Sequence, residues 1–143
     1  GYIPVFMEQI DESYYVEQLK INFPHAKFIS SGGALRDMLR IRNAGRVCVA
    51  VSTFSWVNAW LSEANEIYYP VIGLFHPYIM NGYEKCNVNL IPISNDRYKY
   101  YLFPNIRGEN EKKYFRSIKK FDSLFKEVPS DYAYFLHNNE SLI

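Results

Sequence analysis

Three hydroxyl side chains, those of Ser52, Thr53 and Ser55, stand where the sequence changes from a strand pattern to a helix pattern. The residues before them, Val47 to Val51, form a short apolar run rich in β-branched side chains, which predicts a strand buried on both faces. After them, apolar residues recur at helical spacing, which predicts a helix with an apolar side against the sheet. These apolar residues are Val57, Trp60, Leu61 and Ala64.

A helix that follows a strand directly has backbone N–H groups without partners in its first turn. These groups and the positive end of the helix dipole attract anions, and phosphate is a common ligand of such turns. The hydroxyl groups of Ser52, Thr53 and Ser55 can add further donors. The alternative is that Ser52 and Ser55 only cap the helix and bind no ligand.

The amino-acid sequence of this stretch resembles a motif found in a known family of enzymes. Ser-Thr-Phe-Ser-Trp at 52–56, followed by Ala-Trp-Leu at 59–61, is similar to the block Ser-Thr-Phe-Ser-Trp-Trp-x-Ala-Trp-Leu of bacterial and animal α-1,2-fucosyltransferases and related capsule and O-antigen transferases. The resemblance covers about residues 28–77, and it departs at Val57, where the family has a second Trp. It implies one half of a GT-B fold, in which two Rossmann-like domains face each other across a cleft. It also implies that the donor pyrophosphate lies against Ser52, Thr53, Phe54 and Ser55. In this reading, Phe54 and Trp56 also pack to keep the turn rigid.

Two further candidates lie on the helix predicted from Ala34 to about Asn43. In the resembled family an acidic residue on this helix lies near the donor, and in related fucosyltransferases it reads guanine, which makes Asp37 a candidate for that role. The alternative is a solvated Asp37 that pairs with Arg40 or Arg36 on one helix surface. Arg36 is also a candidate for the pyrophosphate, because a guanidinium group forks onto phosphate oxygens.

Two loops complete the candidate site. Gly32 and Gly33 lie between the strand predicted at Lys27–Ser30 and the helix that follows, and such a turn can cradle phosphate. It fits neither the dinucleotide fingerprint nor the Walker pattern, and the alternative is a turn that needs a positive φ. His76 follows the next predicted strand and either contacts the ligand or lies in a surface loop.

The alternation of strands and helices predicts an α/β fold, a Rossmann-like three-layer domain with a mostly parallel sheet and helices on both faces. Ligands of such sheets bind beyond the carboxyl ends of the strands, so the loops at 30–33, 52–55 and 73–76 are expected to gather at one edge. Tyr98 and Tyr100 are interpreted as core residues rather than as a wall for a sugar. The remaining predicted elements are strands at 3–7, 67–72, 87–93 and 98–103, a helix that ends near Asn22 and an amphipathic helix from Glu109 to Glu127.

Composition narrows the classes of partner. The 143 residues suit a single domain, 1–143, which we expect to be part of a longer two-domain enzyme with a further Rossmann-like domain before Gly1. The 16 Lys and Arg nearly balance the 15 Asp and Glu, which argues against nucleic acid as a main partner. No metal-ligand spacing is present, no cofactor is expected, and no run approaches the length of a membrane helix. Without a signal peptide and with cysteines interpreted as reduced, the chain is predicted to be cytoplasmic.

The leading functional prediction is the nucleotide-sugar-binding half of a glycosyltransferase. The resemblance implies transfer of a fucose-like sugar from a nucleoside diphosphate, with GDP favoured, to a glycan acceptor. The catalytic base is not identified, since the His-x-Arg block of the family is absent, and the chain is expected to be inactive alone. The alternative is a non-catalytic Rossmann-like scaffold or interaction domain of a polysaccharide biosynthesis protein.

Overall fold

The structure, a computed structural model, describes residues 2–8, 14–30, 32–75, 92, 94–103 and 126–131. The chain separates into two compact units, Gly1–Ile41 and Arg42–Ile143. In the described residues the strands form two sheets, one of two strands and one of four. The sequence predicted a single sheet, but the predicted combination of helices with mostly parallel strands is confirmed.

The first unit contains a short parallel strand pair. Strand β1 (Val5–Glu8) pairs with β2 (Lys27–Ser30), and helix α1 (Tyr14–Asn22) connects them. The end of α1 agrees with the sequence prediction, because Pro24 cannot follow a helical residue without strain. Pro4 lies outside β1, which begins two residues later than predicted.

Helix α2 (Ala34–Arg42) has the predicted position but not the predicted buried side. Leu35 and Leu39 recur at helical spacing, a pattern that predicts a side facing the sheet, yet both are exposed. Asp37 is instead the buried residue of α2. A carboxylate tolerates burial only where hydrogen bonds satisfy it, and the partners of Asp37 lie in the turn before α2 and on α2 itself.

The second unit is built on a mixed sheet. Its strands are β3 (Arg46–Cys48), β4 (Glu66–Val71), β5 (Tyr98–Leu102) and β6 (Lys126–Val128), in that spatial order. The first three are parallel and β6 is antiparallel to β5. Helix α3 (Thr53–Trp60) connects β3 to β4, and a short 3₁₀ turn (Gly73–Phe75) follows β4.

One face of the four-stranded sheet forms the core of this unit. The aromatic rings of Tyr69, Tyr98, Tyr100 and Phe75 pack there, and the centroid of Tyr69 lies 5.0 Å from that of Phe75 and 5.5 Å from that of Tyr100. The predicted core role of Tyr98 and Tyr100 is therefore confirmed. The aliphatic part of this core comprises Val47, Val49, Ile67, Val71 and Val128.

The prediction that β3 is buried on both faces is wrong. Val47 and Val49 are buried, whereas Arg46, Cys48 and Ala50 are exposed. This alternation is typical of a strand with only one covered face. The opposite face of the sheet carries an ionic group in which Glu66 pairs with Arg46 at 2.7 Å and with Lys99 at 2.8 Å.

Pro70 lies inside β4, although a proline is expected at the rim of a strand. The N–H of Ile67 donates toward β5, to the carbonyl of Arg97, so the nitrogen of Pro70 points to the opposite side by alternation. Strand β3 has already ended there, since its last register partner on β4 is Tyr68. The missing donor of proline therefore interrupts no hydrogen bond of the ladder.

Helix α3 presents the opposite side to the core from the one the sequence predicts. Val57, Trp60 and Leu61 are exposed, with 51% of Trp60 accessible, and only the prediction for Ala64 is confirmed. The inward side chains are small and make their own hydrogen bonds, which removes the penalty for burying them. The buried residues are Ser55, Asn58, Ala59 and Ser62, at the spacing i, i+3, i+4 and i+7.

Several sequence predictions lie outside the described residues. They include His76, most of the strand predicted at 87–93, and residues 109–125 of the amphipathic helix. The predicted C-terminal end of that helix is wrong, because Lys126 and Glu127 belong to β6.

Candidate functional site

The residues from Val49 to Ser55 form a corner between β3 and α3, called here the β3–α3 corner. The N–H of Val49 still donates to the carbonyl of Tyr68 on β4, and the N–H of Ser52 donates to the carbonyl of Ala50 at 2.7 Å in a tight turn. Because β3 and β4 are parallel, the corner lies beyond their carboxyl ends, at the edge where the sequence places it.

Ser52 caps α3. Its backbone is extended, with φ −152° and ψ 143°, and its Oγ accepts a hydrogen bond from the N–H of Ser55 at 3.1 Å. The capping role that the sequence left open is therefore present. The hydroxyl group that accepts this bond keeps its own hydrogen, which can be donated to a ligand.

Ser55 holds the corner from inside. Its Oγ accepts a hydrogen bond from the backbone N–H of Ala50 at 2.9 Å, and only 8% of the residue is exposed. This bond and the Ser52 cap both join residues within the corner. The rigidity of the turn comes from these two bonds rather than from packing of Phe54, which is 42% exposed.

Thr53 and Phe54 form the open part of the corner. Both residues are exposed at the first turn of α3. Within the described part of the chain, their backbone N–H groups have no hydrogen-bond partner. Two free N–H groups at the positive end of a helix are suited to bind an anion.

The turn after β4 lies against this corner. A Cβ atom at Gly73 would lie 3.1 Å from Cγ1 of Val51, and Gly73 has a φ of +55°. Both the close approach and the positive φ favour glycine at this position. The loops at 52–55 and 73–75 thus adjoin each other, and they are two of the three loops that the sequence analysis places at one edge. His76 lies outside the described residues.

The corner carries no formal charge. No Asp, Glu, Lys or Arg occurs between Val47 and Ser62. Its attraction for anions therefore comes from backbone dipoles and hydroxyl groups alone.

The far end of α3 is held by Arg97, which the sequence analysis did not single out. Its guanidinium group donates to the carbonyls of Trp60, Ser62 and Ala64, and to Oδ1 of Asn95. A cation at these carbonyls complements the negative end of the helix dipole. These contacts join residues more than 30 positions apart, so no local pattern could have indicated them.

In the first unit, Asp37 is bound by its own neighbours. Its Oδ1 accepts from Nη1 of Arg40 at 3.0 Å and from the N–H of Gly32 at 3.3 Å. The pairing with Arg40 that the sequence left as an alternative is present, but Asp37 is buried rather than solvated. Its carboxylate occupies the positive end of α2, which lowers the attraction of that turn for another anion.

Local structure explains each of the two glycines in the turn before α2. Gly33 has a φ of +95°, which confirms the alternative that this turn needs a positive φ. A Cβ atom at Gly32 would lie 2.6 Å from Cδ of Arg36, so the missing side chain makes room for the stem of Arg36. Gly32, Gly33, Arg36 and Asp37 are thus together in the first unit, while the β3–α3 corner and Gly73 are together in the second.

The described residues offer neither a metal-binding cluster nor a membrane-spanning helix. They contain no group of three or more His, Cys, Asp or Glu side chains able to hold a metal ion. No helix among them is both long enough and apolar enough to cross a bilayer.

Comparison with models of protein families, with curated proteins and with solved structures finds no match.

Proposed function

We propose that this chain is the nucleotide-sugar-binding half of a glycosyltransferase with a Rossmann-like fold. The observation that carries the proposal is the open first turn of α3, where the N–H groups of Thr53 and Phe54 lie exposed at the carboxyl edge of parallel strands. The resemblance of residues 52–61 to the fucosyltransferase block favours a diphosphate as the ligand and a fucose-like sugar as the transferred group.

The chemistry follows from where charge develops. When a sugar leaves a nucleoside diphosphate for an acceptor hydroxyl, negative charge grows on the leaving diphosphate. The N–H groups of Thr53 and Phe54 and the hydroxyl of Ser52 donate hydrogen bonds to that charge, and donors fixed in advance are the most effective. Ser55 keeps them fixed through its bond to Ala50.

The nucleotide base is proposed to be guanine, as the resemblance of residues 52–61 to the fucosyltransferase block implies. Within the first unit, Asp37 is proposed as a candidate for the base, because a carboxylate suits the two neighbouring donors of guanine. Arg36, whose side chain is exposed, is proposed as a candidate for a phosphate group.

Transfer needs elements beyond the described residues. The glycan acceptor and a second Rossmann-like domain would face the β3–α3 corner across the cleft of a GT-B enzyme. In this proposal the chain binds a GDP-sugar without turning it over on its own, and the enzyme acts in the cytoplasm.

Thermal unfolding with added nucleotides tests the proposal. GDP and GDP-fucose should raise the melting temperature of the chain more than UDP does, because a ligand that binds only the folded state stabilises it. Equal shifts with GDP and UDP would contradict the guanine assignment. No shift with any nucleotide at millimolar concentration would contradict the diphosphate site and favour a non-catalytic scaffold.

A further inference from the structure

Helix α3 has only 8 residues, and a helix of this length needs tertiary contacts to remain folded in water. The side chains that it buries are small, namely those of Ser55, Asn58 and Ala59. The larger side chains of Val57 and Trp60 are 39% and 51% exposed. Because small side chains bury little apolar area, the hydrogen bonds at the two ends of α3 are important for keeping it folded.

Arg97 provides the tertiary hydrogen bonds at the C-terminal end of α3. Its Nη2 donates to the carbonyl of Trp60, the last residue of the helix, at 3.2 Å. Its Nη1 donates to the carbonyls of Ser62 and Ala64 in the segment that follows. Hydrogen bonds from a charged donor are stronger than those between neutral groups, and the cation also lies at the negative end of the helix dipole. These bonds are called here the Arg97 clamp.

The Arg97 clamp is itself fixed to the sheet. The carbonyl of Arg97 accepts a hydrogen bond from the N–H of Ile67 on β4 at 2.7 Å. Oδ1 of Asn95 accepts hydrogen bonds from the N–H of Arg97 at 3.2 Å and from its Nε at 3.1 Å, which orients the guanidinium group. Residue 97 also directly precedes β5. The clamp thus connects α3 to the two central strands of the four-stranded sheet.

Other backbone bonds define how far α3 can open without the sheet. On the N-terminal side, the N–H of Val49 donates to a carbonyl of β4. On the C-terminal side, the N–H of Asn65 donates to the carbonyl of Gly45 at 2.9 Å. Neither bond involves the clamp or a residue of α3. Loss of the clamp can therefore free residues 53–62 while β3 and β4 stay paired.

We infer that the Arg97 clamp controls a local opening of α3. With the clamp bonded, α3 is closed on the sheet. When the clamp is released, residues 53–62 unfold together while the four-stranded sheet remains folded, as a local cooperative unit does. The β3–α3 corner includes the first turn of this helix, so a residue bound at one end of α3 controls whether the corner at the other end is formed. The inference concerns the second unit alone and does not depend on the proposed function.

Hydrogen exchange of backbone amides in the full chain, followed at increasing urea concentrations below the unfolding transition, tests this inference. A local opening exposes little surface. The α3 amides of the wild type should therefore exchange faster than those of β4 and β5, and with a weaker dependence on urea. Arg97→Met removes the donors and keeps an unbranched side chain. It should accelerate exchange in α3 roughly 10- to 100-fold, the effect of one charge-assisted hydrogen bond.

Tyr100→Phe is the control variant. It removes the hydrogen bond from Tyr100 to the carbonyl of Pro92, which involves no residue of α3 and is present whether α3 is closed or open. The control should therefore accelerate exchange in β4 and β5 by about five-fold and leave exchange in α3 unchanged.

Arg97→Lys serves as a second variant if Arg97→Met does not fold. It keeps the positive charge but lacks the planar fork of donors, so exchange in α3 should still accelerate. A urea dependence as steep in α3 as in β4 and β5 of the wild type would overturn the inference without any variant. Unchanged exchange of α3 in a folded Arg97 variant would also overturn it, and so would an equal response of α3 and the sheet to Tyr100→Phe.

Discussion

Oγ of Ser55 accepts a hydrogen bond from the backbone N–H of Ala50 at 2.9 Å, and this bond ties the first turn of α3 to the end of β3. It turns the Ser55 hydroxyl away from the surface and leaves Thr53 and Phe54 as the exposed residues in the first turn of α3. Of the two serines at the helix start, Ser55 thus has a structural task, while Ser52 both caps the helix and borders the open side.

Ser55→Ala should lower the free energy of unfolding by about 1 kcal/mol, the usual net value of one such hydrogen bond. The loss stays modest because the bond is only partly buried, so water can reach the N–H of Ala50. Urea unfolding measures it, with Thr53→Ala at the neighbouring exposed position as the control. Equal stability of the two variants would show that the Ser55–Ala50 bond does not hold the corner.

Ala59→Leu should destabilise the protein by roughly 1–3 kcal/mol, because added volume in a packed interior forces its neighbours apart. Ala59 is fully buried, whereas Val57 on the other side of α3 is 39% exposed. Val57→Leu is therefore the matched control and should leave the melting temperature nearly unchanged. The reverse order of the two effects would mean that α3 turns its apolar residues inward after all.

Tyr98→Phe should leave the protein at least as stable as the wild type. The hydroxyl of Tyr98 is buried and, within the described residues, has no hydrogen-bond partner, and its burial raises the pKa of Tyr98 to about 12. Tyr100→Phe, in contrast, removes a bond of 2.9 Å to the carbonyl of Pro92 and should cost about 1 kcal/mol. A clear loss of stability in Tyr98→Phe would reveal a partner for that hydroxyl.

Glu66 should make the protein sensitive to acid. Hydrogen bonds from Lys99 and Tyr68, together with the charge of Arg46, hold the pKa of this carboxyl below its ordinary value of 4.5. Its contribution to stability is therefore complete above pH 4.5 and is lost as the pH falls through the lower pKa of the folded state.

Urea unfolding at a series of pH values checks this pH dependence. The stability difference between the wild type and Glu66→Gln should be largest above pH 4.5 and should shrink below it. Glu63→Gln is the control, since the Glu63 carboxylate has no ion pair among the described residues. A difference that stays constant with pH would exclude Glu66 as the source.

The elements of this fold could be predicted because local patterns define them. The bounds of β2, the end of α1 before Pro24 and the Ser52 cap all follow from residues next to one another in the sequence. The predicted orientation of α3 was wrong because the periodicity of Val57, Trp60 and Leu61 takes no account of hydrogen bonds. Ser55, Asn58 and Ser62 satisfy their polar groups locally and can therefore be buried.

The site was predictable in part for the same reason. Ser52 and the free N–H groups of the next two residues follow from a helix that starts directly after a strand. The contact of Gly73 with Val51 and the clamp of Arg97 on the end of α3 join distant parts of the chain. Such contacts depend on the register of parallel strands, and this register cannot be derived from a short stretch of sequence.

The proposed diphosphate site is tested most directly at Thr53, the first residue of α3. Proline is well tolerated at this helix position, and the extended backbone of Ser52 suits a residue before proline, so Thr53→Pro removes one N–H group without disturbing the fold.

Titration calorimetry with GDP should show that Thr53→Pro binds roughly 10- to 100-fold more weakly than the wild type, the effect of one charge-assisted hydrogen bond. Thr53→Ala, which keeps the N–H group, should bind with nearly the affinity of the wild type. Equal GDP affinity of Thr53→Pro and Thr53→Ala, or no binding of GDP by the wild type, would contradict the account.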